Sequence, residues 1–147
     1  MVSKIMKTNF DVYTSFVSPW TWKHLVLEGN YLPIFAIRNI KNSNVIGHLS
    51  DTAVHFKELS PSNSLYQAKR DNKISLEDFQ KRYLIELSNI SVESIVERFK
   101  QLFDVSGAKG LIIFGYGSNS ETCHRSILAS MLNLSGLFRN NIEELKL

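Results

Sequence analysis

The sequence predicts a single α/β domain, Rossmann-like, with a short, mostly parallel sheet flanked by helices. Three observations point there. Apolar runs rich in β-branched and aromatic residues alternate with amphipathic helical segments. The run "GLIIFGYG" (110–117) is continuously apolar, as a central strand covered on both faces must be. The chain has 147 residues, 44% of them hydrophobic, which suits one domain (1–147) with a real core.

The elements follow in order. "NFDVYTSFV" (9–17) reads as a strand. In "SPWTWKHLVLEG" Ser18 can cap, Pro19 suits the first helical position and Gly29 can terminate, which gives a short helix. "YLPIFAIRNI" (31–40) is short enough for a buried strand, and 41–52 is polar and loop-like. "AVHFKEL" (53–59) fits a strand or an extended segment, and "SPSNSLYQAKRDN" offers caps and a short helix. In 75–89 Ser75 precedes Asp78 by three residues, and Leu76, Phe79, Tyr83, Leu84 and Leu87 fall at three-and-four spacing. In 91–107 Ser91 caps, Val92, Ile95, Val96, Phe99, Leu102 and Phe103 form the stripe, and Gly107 stops the helix. A last long helix is predicted over 122–134. The tail, 135–147, shows no single pattern, and its apolar residues leave room for a homodimer.

Composition excludes several classes. Seventeen basic and 14 acidic residues give a net charge of +3, and the pairs Lys69-Arg70 and Lys81-Arg82 are separated by acids. That is a solvated face rather than the basic stripe a nucleic-acid binder uses. A small anionic partner fits this charge better than a polyanion. No apolar run approaches a membrane span of roughly 20 residues, and "MVSKIMKTNF" lacks a secretory pattern. One cysteine allows no internal disulfide, so a reducing, cytoplasmic setting is expected.

The segment that carries chemistry is "GLIIFGYGSNSETCHRS" (110–126). Gly115, Tyr116, Gly117 and Ser118 form a two-glycine loop after a strand, where backbone amides can approach a ligand. Ser120 stands at the third glycine position of the dinucleotide fingerprint, and no Gly-Lys-Ser/Thr follows, so neither phosphate motif is complete. Ser120 or Thr122 can cap the next helix, which places Cys123, His124 and Arg125 in its first turn. Positive side chains there oppose the helix dipole, and a bound anion would relieve them. Arg125 is a planar fork suited to phosphate or carboxylate. Cys123 would gain thiolate character in this setting, whereas a buried free cysteine packs as a small apolar group. The residue six after Cys123 is Ala129, not Arg, which excludes the phosphatase loop. Elsewhere His24, His48, His55 and His124 are scattered, so no metal site is expected, and no cofactor motif is complete. Trp20 and Trp22 cannot share one helix face: one belongs to the core and the other could stack on a base. Tyr13, Thr14 and Ser15 could donate hydrogen bonds at a strand end, or simply cap it.

The whole chain, to about residue 134, resembles the domain-of-unknown-function 488 family. The match is carried by "VYTSF" (12–16), "PIFAIR" (33–38), "FKELSPSNSLYQAKRDNKISLEDFQKRYLIEL" (56–87) and "CHRSILA" (123–129). The resemblance implies an α/β fold with Arg38, Ser62, Arg82 and the Cys-His-Arg run near one cleft. It implies no particular reaction. Many members also carry Cys and Glu at the end of the preceding strand, where this chain has Gly115 and Gly117. That departure favours holding a ligand over transforming one.

Three functions compete at this level. The first is a binding protein for an anionic small molecule, a nucleotide or an ADP-ribose-like compound. Arg125 and loop amides would hold phosphate, His124 would donate a hydrogen bond, and Tyr13, Tyr116 or Trp20 would stack on a base. Such a protein could sequester a signalling nucleotide, as a virus (a phage, for example) countering host signalling would use; that role is an analogy. The second is a hydrolase or transferase with Cys123 as nucleophile, weakened because adjacent helical residues point about 100° apart. The third is a protein- or nucleic-acid-interaction module built on the helix over 75–89.

Overall fold

The computed structural model describes residues 6–36, 54–115 and 124–145. The expected loop over 41–52, the end of the second strand, the caps at Ser120 and Thr122, and Arg38, Tyr116, Gly117, Ser118 and Cys123 lie outside them.

The fold is α/β, with a five-stranded, all-parallel sheet and helices on both faces. The strands are β1 (Asp11–Phe16), β2 (Tyr31–Phe35), β3 (Val54–His55), β4 (Gly110–Gly115) and β5 (Glu143–Glu144), in the order β3-β2-β4-β1-β5. The helices are α1 (Pro19–Thr21), α2 (Asn63–Arg70), α3 (Leu76–Leu87), α4 (Val92–Ser106) and α5 (His124–Leu134). A π-helical turn, Trp22–Leu27, continues α1, and a 3-10 turn spans Lys57–Leu59.

β4 is the middle strand, and its unbroken apolar sequence is the reason. Leu111 and Ile113 point into a core built with α2, α3, α4 and α5. Ile112 and Phe114 point the other way, onto Trp22 and Leu25 of the π turn and Phe35 of β2. All four are fully buried. Each such side chain contributes about 1.5–3 kcal/mol by leaving water. β1 divides in the same way, with Val12 toward the larger core and Tyr13 packed on the smaller one. Pro33 lies within β2, opposite Ile112 of β4.

The helix caps follow the sequence. Ser75 Oγ accepts the Asp78 amide and Ser91 Oγ accepts the Ser94 amide, and Gly107 ends α4 in the left-handed region at φ 67°. Ser18 and Thr21 cap α1 reciprocally. The 18–29 helix differs from expectation in its second half, where the Glu28 amide reaches back five residues to the Lys23 carbonyl. Trp22 and Leu25 both pack in the smaller core on the sheet. The apolar tail also has its place: Phe138 and Ile142 are buried in the larger core, and β5 pairs with β1. Among the described residues no helix is long and apolar enough to cross a membrane.

Gly29 closes the π turn against main chain. A Cβ there would stand 2.5 Å from the His24 carbonyl oxygen and 2.7 Å from that of Leu25. Neither backbone atom can step aside, so Gly29→Ala is expected to lower stability by about 1–3 kcal/mol, the range for overpacking. Urea denaturation measures it, and an unchanged midpoint would show that the π turn is dispensable.

Candidate functional site

The sheet itself selects where a ligand belongs. The chain leaves β1 toward β2 and leaves β4 toward β5, in opposite directions along the sheet and over opposite faces. β1 and β4 are neighbours, in register to Phe16 and Gly115. Their carboxyl ends therefore form the topological switch point, where open α/β sheets place ligands. Gly115 is buried there. α5 begins at the same end of the sheet with His124 and Arg125, and its first turn contains no acidic residue.

Arg125 is fully buried. Its Nε donates to Glu144 Oε1 at 3.0 Å and its Nη2 to Glu144 Oε2 at 2.8 Å. Thr14 Oγ1 donates to Glu144 Oε1 at 2.6 Å. This corrects the expectation that Arg125 presents an open fork. The charge opposed to the helix dipole is answered within the chain, by a carboxylate from β5. Two-point binding of this kind is the strong form of charge-assisted hydrogen bond. A carboxylate supplied by the tail also stands beside β1, opposite Thr14.

His124 is partly buried, and its Nε2 bonds to the Ala36 carbonyl just past β2. A carbonyl only accepts, so Nε2 carries the proton. The imidazole meets the Tyr83 ring edge-on, with centroids 5.6 Å apart. Tyr83 is fully buried and its hydroxyl donates to the Leu59 carbonyl. His124 is thus engaged with its own chain, and Tyr83 ties α3 to the start of α5. Loss of that hydroxyl leaves a buried carbonyl unanswered. Tyr83→Phe is expected to cost about 1–3 kcal/mol in chemical denaturation, and a neutral result would mean water replaces it.

The other sequence-derived residues do not converge on this point. Ser15 is fully buried, and its hydroxyl is directed to the carbonyls of Leu145 (3.3 Å) and Phe16 (3.4 Å). Tyr13 lies three residues before the strand end, edge-on to Tyr31, and burial pushes its phenol above its usual pKa. Ser62 caps α2 and is held by Glu86, which accepts from its amide (2.8 Å) and its hydroxyl (2.5 Å). Arg82 faces solvent on α3, and it is its neighbour Tyr83 that reaches the site. Trp22 is the core tryptophan and Trp20 the exposed one, 59% accessible, with its ring 4.0 Å from that of His24. Among the described residues no three His, Cys, Asp or Glu gather as a metal site.

Sequence reasoning missed Glu144, Tyr83 and Glu86. Tyr83 carried a signal, since it lies on the apolar stripe of α3 with a polar tip. Glu144 carried none, because the tail has no periodicity and its contacts reach 19 and 130 residues away.

A cavity of about 380 Å³ opens at the other end of β1, lined by Asp11, Tyr13, Asn140, Asn141 and Glu143. Its two carboxylates suit no anion. Hydrogen bonds from Arg139 and then Asn140 hold the Asp11 carboxyl below the usual range. A lowered folded pKa contributes stability above the unfolded value, near 4, that is lost as pH falls through the folded one. Asp11→Asn is therefore expected to flatten the decline in stability below about pH 4, read from denaturation midpoints between neutral and acid pH. An equally steep acid limb would assign that decline to other carboxylates.

The family model described as the active DUF488-N3 subclade matches residues 36–136. The chain belongs to this DUF488 family. No curated protein and no solved structure matches it significantly.

Proposed function

Taking a DUF488-N3 member with this strand-end geometry as the premise, we propose that the protein binds an anionic, nucleotide-like small molecule at the carboxyl ends of β1 and β4. One observation carries the reading: a fully buried Arg125 in the acid-free first turn of α5, at the switch point of a parallel sheet. Burying a charge is costly, and structures bear that cost where the charge is used or paired. The ligand's phosphate or carboxylate faces the first turn of α5. Trp20, exposed just after β1, is the aromatic surface on which a base or ribose stacks. Arg38, Gly115, Tyr116, Gly117, Ser118 and Cys123 complete the proposed site. The role is to hold the ligand, and sequestration of a signalling nucleotide is the use that fits such a small protein.

Heating the purified protein with and without ADP-ribose, ADP or cyclic dinucleotides tests this. A ligand at ~100 times its dissociation constant adds about 2.7 kcal/mol, a rise of roughly 5–10 °C for a chain of this length. Arg125→Ala should abolish the rise. No shift with any of these compounds would count decisively against nucleotide binding.

A second reading, a cysteine-dependent hydrolase or transferase, is favoured by the family's description as active and by the Glu144 carboxylate at the strand ends. Cys123 would be its nucleophile. Rapid alkylation of Cys123 in the folded protein at neutral pH supports that chemistry. Labelling only after unfolding removes it.

A further inference from the structure

We propose that Glu143–Leu145 is a displaceable latch: Glu144 occupies the fork of Arg125 in the ligand-free protein and yields it to the ligand's own phosphate or carboxylate. The inference rests on the ligand-binding reading above and adds how that site is controlled.

The chemistry of the contact comes first. Glu144 meets Arg125 through two parallel N–H···O bonds and takes a third donor from Thr14. A phosphate or carboxylate of a ligand presents oxygens in the same arrangement. The intramolecular carboxylate therefore stands where an anionic ligand's oxygens would. Of the two partners Arg125 is fully enclosed, whereas the Glu144 side chain keeps 15% of its surface exposed. Moving Glu144 aside is the change that opens the guanidinium to a ligand.

The mechanics of the tail come second. The chain is held firmly up to Ile142, whose amide donates to Asn133 Oδ1 at 2.7 Å and whose carbonyl accepts from Asn133 Nδ2 at 3.2 Å. Ile142 and Phe138 are buried in the larger core. Past that clamp the described tail is three residues long, held by the contacts of Glu144 and by Leu145 against the smaller core. β5 is a two-residue edge strand, followed by the Leu145 amide on the Thr14 carbonyl at 2.8 Å. The hinge therefore lies between Ile142 and Glu143. Release of 143–145 also frees the hydroxyls of Thr14 and Ser15, which point at Glu144 and at the Leu145 carbonyl. Strand-end donors that are occupied in the closed state become available to the ligand.

The energetics make this an exchange rather than a spontaneous opening. Taking the carboxylate from a buried guanidinium is costly, so the latch leaves as another anion arrives. A site that is open only part of the time shows an affinity reduced by the open fraction. Removing the competing charge restores it.

The test is calorimetric titration of ADP-ribose into the wild type and Glu144→Gln, with hydrogen exchange at the Leu145 amide of the wild type. Glu144→Gln is expected to bind at least ~10-fold tighter, as removal of a mostly closed state requires. The Leu145 amide should exchange faster when ADP-ribose is bound. Equal or weaker binding by Glu144→Gln, with Leu145 protection unchanged or increased, overturns the latch while leaving ligand binding intact. Absence of binding to both proteins overturns the latch and the ligand-binding reading together. If Glu144→Gln does not fold, the exchange measurement on the wild type decides alone.

Discussion

A guanidinium with no exposed surface must be met by an anion, and that requirement organises one end of this molecule. Arg125 is placed at the sheet's carboxyl edge because α5, the next described element after the central strand, starts there. Its answer comes from Glu144, at the far end of the chain. To deliver that carboxylate, the tail must cross to the free side of β1. Phe138 and Ile142 bring it there by burying themselves in the larger core, and Asn133 fixes its main chain. A short parallel strand then forms almost as a by-product. The fifth strand exists at the place where a charge needs a partner.

The same edge is tied down on its other side. His124 bonds to the carbonyl after β2, and Tyr83 braces the imidazole while bonding to the carbonyl of Leu59. The start of α5 is thereby held against β2, α3 and the turn before α2. Segments distant in sequence thus converge on His124, directly or through Tyr83. Rigidity of this sort suits a site that must keep donors aimed at a fixed point.

Much of the fold was legible because it depends on short-range pattern. The apolar run 110–117 announced a doubly covered strand, and β4 is the middle of the sheet. Ser75, Ser91 and Gly107 marked helix ends by chemistry that acts within one turn. The π turn was not legible, since its signal is a glycine meeting carbonyls four and five residues back, which a terminating glycine also resembles. At the site, the sequence identified Arg125 and the need for an anion beside it. It could not identify the anion, because a lone glutamate in an unpatterned tail has no periodicity to betray its partner. Arg82 drew attention by its charge, yet the side chain that matters is Tyr83, one residue on and on the buried face.

Gly115 and Gly117 acquire a different meaning in the sequence once Glu144 is in view. Gly115 and Gly117 stand where relatives resembling this chain carry a thiol and a carboxylate, and that change argued for a site emptied of chemistry. A carboxylate is nevertheless present at the strand ends, 2.6 Å from Thr14. It is paired two-point with a guanidinium, the geometry of a charge partner. The tail supplies the charge. A carboxylate carried on a short edge strand can move, where one fixed on the central strand could not. The proposed latch depends on that difference in attachment.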